Sequence, residues 1–196
     1  STITIRGGGI VFPLAVLLWL LFYGFGMPWA VMGLLAIASV SLVDDIRSLS
    51  GKVRIVVHLM AVSLLFYTLG VFGLSWWMVF VAFIITIGFI NAFNFMDGIN
   101  GITVLYALVS LLTFGWVNHS LPFVSPDLLY LLMVSCLIFG WFNLRKRARC
   151  FAGDVGSVSM AFVLAWLMLS LILKSGRVEY ILFFTVYGLD SVITIL

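Results

Sequence analysis

Charged side chains are scarce in this sequence. Only 9% of the 196 residues are charged, whereas 64% are hydrophobic, and the mean hydropathy is +1.29. Soluble globular domains carry about 25% charged residues, so the composition excludes that class. Cysteine is rarer still: two residues cannot build a disulfide framework, and we expect both to be plain thiols. The sequence also lacks repeats, low-complexity tracts and any linker long enough to separate domains.

Long apolar runs are what the sequence has instead. A helix needs about 20 apolar residues to cross a bilayer, and runs of this kind alternate with glycine, proline or charge. They predict about eight spans, near residues 10–26, 28–43, 55–72, 76–93, 99–117, 128–142, 157–173 and 180–196. The runs are apolar on all faces and lack the period-two alternation of a transmembrane strand. The predicted fold class is therefore all-α, a polytopic transmembrane helical bundle.

The basic residues are distributed unevenly between the two sides of this bundle. One side receives two of them, Lys174 and Arg177, and the other receives eight. The eight are Arg6, Arg47, Lys52, Arg54, Arg145, Lys146, Arg147 and Arg149. The positive-inside rule assigns the richer side to the cytoplasm. Because the chain begins at Ser1 and ends inside an apolar run, we expect residues 1–196 to form a single integral membrane domain that is truncated at both ends.

Acidic residues mark one membrane surface. Four of the seven, Asp44, Asp45, Asp97 and Asp154, lie at the ends of predicted spans, on the side rich in basic residues. Mg²⁺ in proteins is commonly held by one or two carboxylates together with substrate phosphates. The sequence therefore predicts a site for a divalent cation and a phosphorylated substrate at this surface. A transporter is an alternative, but its site would lie near the bilayer midplane, where Asp190 is the one candidate.

The adjacent pair Asp44 and Asp45 follows the second span. Two carboxylates at a helix C-terminus have the wrong sign for the helix dipole and repel each other. A cation must compensate for them, and the candidates are Arg47, Lys52, Arg54 or a metal ion. The pair is therefore interpreted either as part of a metal–phosphate site or as a solvated loop with local salt bridges.

Polar residues recur every three positions where the fourth span ends. They are Asn91, Asn94, Asp97 and Asn100. On a straight helix each step of three drifts about 60° backwards, so all four cannot face one site. The glycines that follow Asp97 predict a break that returns the later residues towards the earlier ones. Helix capping is the alternative interpretation, but it accounts for one or two of these side chains rather than four.

Glycines accompany the remaining candidates on this surface. Asp154, between two glycines, could cap the seventh span, as could Ser157, or it could bind a metal while the helix N-terminus faces phosphate. Arg6 precedes three glycines, whose backbone amides could approach an anion; a flexible lead-in is the alternative. Asn143 ends the sixth span and is predicted to join the polar cluster. The basic run 145–149 is interpreted first as a topogenic and lipid-headgroup patch, and second as a catalytic element.

These segments, in this order, resemble the signatures of the polyprenyl-phosphate N-acetylhexosamine-1-phosphate transferases, membrane enzymes of glycosyltransferase family 4. The matching segments are RGGG (6–9), DDIRSLSGKVR (44–54), NAFNFMDGINGI (91–102), WFN (141–143) and FAGDVGS (151–157). The phrase NFMDGING resembles most the bacterial branch that initiates O-antigen synthesis. Where the peptidoglycan branch has a second acid after the DG, this chain has Asn100.

The resemblance implies transfer of a sugar-1-phosphate from a UDP-sugar to undecaprenyl phosphate, with release of UMP. It also implies Mg²⁺ or Mn²⁺ as the cofactor and a location in the bacterial inner membrane, with the site facing the cytoplasm; homodimers are compatible with it. Residues and resemblance together give Asp44, Asp45 and Asp97 as catalytic, Asp154 as the metal ligand, and Arg6, Asn91, Asn94 and Asn143 as substrate-binding. Because the family's His-rich motif would follow the last residue, an inactive truncated homologue or a membrane scaffold is the alternative.

Overall fold

The computed structural model describes residues 6–145 and 147–185, which form a helical bundle without β-strands. Seven α-helices follow one another: α1 Val11–Tyr23, α2 Pro28–Ile46, α3 Gly51–Leu69, α4 Trp76–Met96, α5 Ile102–Ser120, α6 Pro126–Asn143 and α7 Gly153–Ser175. Three short 3₁₀ helices accompany them: Gly8–Ile10, Val71–Gly73 and Val178–Phe184. The predicted fold class, an all-α polytopic bundle, is confirmed.

Seven of the eight predicted spans correspond to helices. Six of the helices, α2 to α7, are long and apolar enough to cross a membrane, and α1 is a shorter apolar helix of 13 residues. The eighth predicted span, 180–196, begins within the 3₁₀ helix Val178–Phe184, and residues 186–196, including Asp190, lie outside the described part. Several boundaries differ by three or four residues: α3 and α7 begin four residues before their predicted starts, and α2 runs three residues beyond its predicted end. Its last turn therefore contains both acids of the 44–45 pair.

Helix α7 forms the centre of the bundle. In its most apolar stretch 89% of the residues are buried inside the protein, against 17% in α4. Helices α2, α4, α1 and α5 all pack against it. An all-round apolar helix surrounded by other helices is expected to be buried. The first turn of α7, which carries Asp154, is therefore fixed by packing on several sides.

Glycines allow the backbones at the centre to approach closely, as is typical of helix interfaces in membranes. Gly9, before α1, lies against Gly156 of α7 so closely that a side chain at either position would overlap the other backbone. Gly33 of α2 packs against α3, where an added Cβ would lie 2.7 Å from the carbonyl oxygen of Ala61. The first contact joins the amino-terminal glycine segment to the start of α7, and the second holds α2 against the middle of α3.

Candidate active site

A cavity of about 270 Å³ opens at the end of the bundle where α2 and α4 end and α7 begins. It is lined by Arg6, Asp45, Asn94, Asp97, Gly98, Phe151, Gly153 and Asp154. Five of these are residues that the sequence predicts for the site, and they come from four separate segments of the chain. Four separate segments of the chain thus meet at one cavity, and nothing in apolar packing requires three carboxylates to lie there together.

Asp45 caps helix α7 from the last turn of α2. Its Oδ1 accepts a hydrogen bond from the backbone N–H of Asp154 at 2.9 Å, and its Oδ2 accepts one from that of Val155 at 3.0 Å. The first amides of a helix have no partner within their own helix. The positive end of the α7 dipole thus offsets the unfavourable position of Asp45 at the negative end of α2. The sequence suggested that Asp154 or Ser157 would cap this helix; the structure shows that a residue 109 positions earlier does so.

Gly153 makes this capping contact possible. Its backbone has φ +71°, and an added Cβ would lie 2.5 Å from Asp45 Oδ2. A side chain would therefore face both a strained backbone and a clash with the carboxylate. The sequence feature of a glycine directly before the acid is explained by this close approach of Asp45.

Arg54 is the cation that compensates for the acidic pair. Its Nη1 lies 3.2 Å from Asp44 Oδ2, and its Nη2 lies 3.8 Å from Asp154 Oδ2. Asp44 Oδ1 also accepts the backbone N–H of Leu49 at 2.5 Å. Of the three basic candidates, Arg54 alone forms an ion pair in the part of the chain that the structure describes. One guanidinium, in the first turn of α3, thus connects the ends of α2 and α7.

Asp97 lies directly after the last residue of α4, where the predicted helix break occurs. It accepts a hydrogen bond from the hydroxyl of Thr103 at the start of α5. Burial raises the pKa of Asp97 to about 6; the Thr103 hydroxyl opposes this rise, and the charges of Asp154 and Asp45 add to it. Among the described residues no cation pairs with Asp97. It is therefore a cavity carboxylate suited to exchange a proton near neutral pH. Burial also raises the pKa of Asp154, but that carboxylate pairs with Arg54.

Asn94 is tied to α7 rather than left free. The hydroxyl of Ser157, which is fully buried, lies within hydrogen-bond distance of Asn94 Oδ1 and 3.0 Å from the carbonyl oxygen of Gly153. Sequence reasoning treated Ser157 only as a cap and did not single out Thr103. The signal in both cases was a hydroxyl within the first five residues of an apolar helix.

Asn143 holds two loops in place beneath the site. Its Oδ1 accepts the backbone N–H of Gly101 at 2.7 Å, and its Nδ2 donates to the carbonyl oxygen of Cys150 at 2.9 Å. The side chain is buried and is not part of the cavity lining. Gly101, at φ +89°, turns the chain into α5. The structure therefore places Asn143 as a loop-bridging residue behind the cavity.

Two other polar residues of the 91–100 series lie outside the cavity lining. Asn91 is exposed and donates to the carbonyl oxygen of Ile87, one turn earlier in its own helix, at 2.9 Å. Asn100 is exposed in the turn before α5. The predicted break thus brings Asp97, but not Asn100, back towards Asn94.

The glycine segment after Arg6 forms a short backbone contact with residues 151–152. The N–H of Gly8 donates to the carbonyl oxygen of Phe151 at 2.9 Å, and that of Gly9 donates to Ala152 at 3.1 Å. These two amides are therefore engaged within the protein rather than directed at an anion. The segment contributes Arg6 to the cavity lining, together with the three carboxylates.

The donor set of the cavity is suited to a hard cation. Within residues 6–145 and 147–185 no three acidic, histidine or cysteine side chains lie close enough together to hold an ion by themselves. Mg²⁺ retains several waters and usually binds one or two carboxylates plus phosphate oxygens. Asp154, one-third exposed, offers such a carboxylate. The residues fit a cation that completes its coordination with substrate and water.

Most of this chain is similar to known proteins. The profile of glycosyl transferase family 4 matches residues 27–172. A phospho-N-acetylmuramoyl-pentapeptide-transferase of Deinococcus radiodurans is 33% identical over 155 residues, covering 79% of this chain and 37% of that protein. The enzyme of the same name from Streptococcus thermophilus is 35% identical over 139 residues, covering 67% of this chain and 36% of that protein.

A third enzyme of that name, from Streptococcus equi subsp. zooepidemicus, is 33% identical over 132 residues, covering 64% of this chain and 38% of that protein. The chain thus spans well under half the length of these relatives. The matched region of the family profile, 27–172, contains all four carboxylates of the candidate site. The match covers most of the sequence, and the chain belongs to glycosyl transferase family 4.

Proposed function

We propose that this chain carries the catalytic surface of a membrane transferase that moves a sugar-1-phosphate from a UDP-sugar to undecaprenyl phosphate. The observation that carries the proposal is the cavity in which Arg6, Asp45, Asp97 and Asp154 meet at the end of a membrane bundle. A lipid acceptor keeps its tail in hydrocarbon while its phosphate reaches the membrane surface. A site at the ends of the spans, rather than at the midplane, suits such a substrate and argues against a transporter.

In the proposed reaction an oxygen of the acceptor phosphate attacks the β-phosphorus of the UDP-sugar. A new P–O bond forms to the lipid phosphate, the bond between the β-phosphorus and the bridging oxygen breaks, and UMP leaves with that oxygen. Phosphoryl transfer depends on positioning and on neutralising charge more than on covalent help from the protein. The chain's residues are therefore assigned to proton transfer, phosphate binding and alignment.

Asp97 is the proposed proton acceptor. With a pKa of about 6 it is largely ionised at neutral pH and still basic enough to take a proton from an acceptor phosphate monoester. Asp45 and Asp44 support the reaction differently, because both accept backbone N–H groups and Asp44 also pairs with Arg54. We assign them to holding α7 and its Asp154 in place.

Asp154 is the proposed ligand of a divalent cation, with water and phosphate oxygens completing its coordination. When bound, Mg²⁺ would neutralise charge on the diphosphate and on the departing UMP. Arg6, which also lines the cavity, would bind the remaining phosphate charge. The excess of basic residues on this side supports a cytoplasmic orientation in the bacterial inner membrane.

The donor is proposed to be a UDP-N-acetylhexosamine. The relatives are named for a muramoyl-pentapeptide donor, whereas the sequence around Asn100 resembles the O-antigen-initiating branch. Asn100 is exposed in the turn after Asp97, three residues from that acid and outside the cavity lining. We favour the N-acetylhexosamine donor because the second acid typical of the peptidoglycan branch is replaced here by this amide.

The test is a transfer assay in membranes that contain the full-length product of this gene, with undecaprenyl phosphate and Mg²⁺. Radiolabelled UDP-N-acetylglucosamine and UDP-N-acetylmuramoyl-pentapeptide are supplied in separate reactions, and labelled lipid and UMP are measured. Product from the first donor alone is the expected result. Product from the second donor alone would indicate that this chain uses the muramoyl-pentapeptide donor for which the relatives are named. No product from either donor would favour a membrane scaffold.

A further inference from the structure

A second groove runs along the outer surface between α5 and α6, apart from the acidic cavity. It has a volume of about 540 Å³ and is lined by Leu108, Cys136, Leu137, Gly140, Trp141, Leu144 and Arg145. All but one of these residues belong to the last two turns of α6 or the residues just after it. The lining is almost entirely apolar, and a single charged side chain stands at its mouth. Grooves of this size are typical of ligand sites.

Arg145 is held at the mouth by its own helix. Its Nε donates to the carbonyl oxygen of Trp141 at 3.0 Å, and its guanidinium carbon lies 5.6 Å from the centre of the Trp141 ring. The contact fixes the plane of the guanidinium and leaves its terminal N–H groups available. No acidic side chain pairs with it in the part of the chain that the structure describes. Arg145 is thus a preoriented cation that no acid among the described residues neutralises.

The surrounding sequence is acid-free and basic. Between Asp127 and Asp154 there is no Asp or Glu, while residues 145–149 carry four basic side chains. The acidic cluster at the candidate active site has its own cation in Arg54. The positive charge at the end of α6 is therefore unbalanced within the described structure, and an anion from outside the chain would complement it.

We propose that this groove binds one anionic diacyl phospholipid, with an acyl chain between α5 and α6 and the headgroup phosphate on Arg145. The apolar lining matches the chain, and the terminal N–H groups of the guanidinium match the phosphate oxygens. Trp141, which is 72% exposed, sits where aromatic side chains mark the boundary between hydrocarbon and headgroups. Such a lipid would brace α6, whose Asn143 holds the loops behind the cavity.

Native mass spectrometry of the purified full-length protein tests the proposal directly. The probes are phosphatidylglycerol and phosphatidylcholine with identical acyl chains, supplied at equal concentration. The wild type is expected to retain one phosphatidylglycerol in preference to phosphatidylcholine. Arg145→Ala should lower that retention about tenfold, which corresponds to the loss of a charge-assisted contact, whereas Arg145→Lys should keep most of it. Arg177→Ala, an exposed arginine at the other end of the bundle, is the matched control and should behave like the wild type.

A second variant tests the apolar part of the groove. Leu137→Trp should fill the groove and expel the lipid while Arg145 is untouched; Leu18→Trp, at a similarly exposed leucine of α1, should leave retention unchanged. Equal retention of both lipids, or unchanged retention in Arg145→Ala and Leu137→Trp, would overturn the proposal. So would displacement of phosphatidylglycerol by equimolar undecaprenyl phosphate, because the groove would then belong to the acceptor. None of these readouts depends on transferase activity.

Discussion

The two sides of the acidic cavity differ in how their carboxylates are satisfied. On the side where α2 meets α7, Asp45 accepts two backbone amides and Asp44 accepts an amide and a guanidinium. On the side where α4 turns into α5, Asp97 accepts one hydroxyl and has a raised pKa. The difference indicates that the acids have different roles. Asp44 and Asp45 hold the start of α7 in position, whereas Asp97 remains able to exchange a proton.

Removing the charge of Asp97 should have the largest effect on turnover. Asp97→Asn preserves size but cannot accept a proton, so we expect turnover to fall by about 10²- to 10⁴-fold, the usual contribution of a general base. Thermal unfolding in detergent should be nearly unchanged, because no helix terminus depends on this side chain. Asp127→Asn, at the opposite end of the bundle, is the matched control and should retain full turnover. A mild effect of Asp97→Asn on turnover would show that Asp97 is not the proton acceptor.

Two substitutions at Asp45 should distinguish the effect of the capping hydrogen bonds on stability from the effect of the negative charge. Asp45→Ala leaves two amides of α7 without a partner and should reduce the free energy of unfolding by about 1 kcal/mol, the usual effect of losing an N-cap. Asp45→Asn keeps an oxygen acceptor and should recover most of that loss. Apparent melting temperatures of the two variants measure the effect. If both variants melt like the wild type, the capping contact does not stabilise the bundle.

Removing Arg54 should have a smaller effect on stability. Its side chain is one-third exposed, so we expect Arg54→Ala to change the free energy of unfolding by no more than about 1 kcal/mol. Because its guanidinium joins Asp44 to Asp154, the Mg²⁺ concentration required for half-maximal turnover should change more than the melting temperature. Arg47→Ala, at an exposed arginine without an ion pair among the described residues, is the control. An unchanged Mg²⁺ requirement in Arg54→Ala would show that the bridge does not position Asp154.

The smallest effect is expected at Asn91. Its amide bonds only its own helix and does not line the cavity, so Asn91→Ala should retain near-normal turnover. Asn94→Ala, one turn later, should lower turnover because its partner Ser157 belongs to α7. Steady-state transfer rates of the two variants provide the test. A larger loss of turnover in Asn91→Ala than in Asn94→Ala would support the prediction that Asn91 binds substrate.

The sequence predicted the bundle and most of the cavity because both depend on patterns that are local in the chain. Apolar runs defined seven of the described helices, and charges at their ends located Arg6, Asp97 and Asp154. The capping of α7 by Asp45 was not predictable, because the two residues are 109 positions apart and either Asp154 or Ser157 was a plausible local cap. The choice of Arg54 over its basic neighbours likewise depends on how α3 packs against α2, which no spacing rule reveals.

The central claim is that Asp97 is the proton acceptor. Its most direct test is the pH dependence of turnover in the wild type and in Thr103→Val. Because burial raises the pKa of Asp97 to about 6, the proton-accepting form should be lost as the pH falls through that value. The Thr103 hydroxyl lowers this pKa, so its removal should move the acid limb of the profile to higher pH. An acid limb that stays in place in Thr103→Val, with the variant still folded and active, would contradict the account.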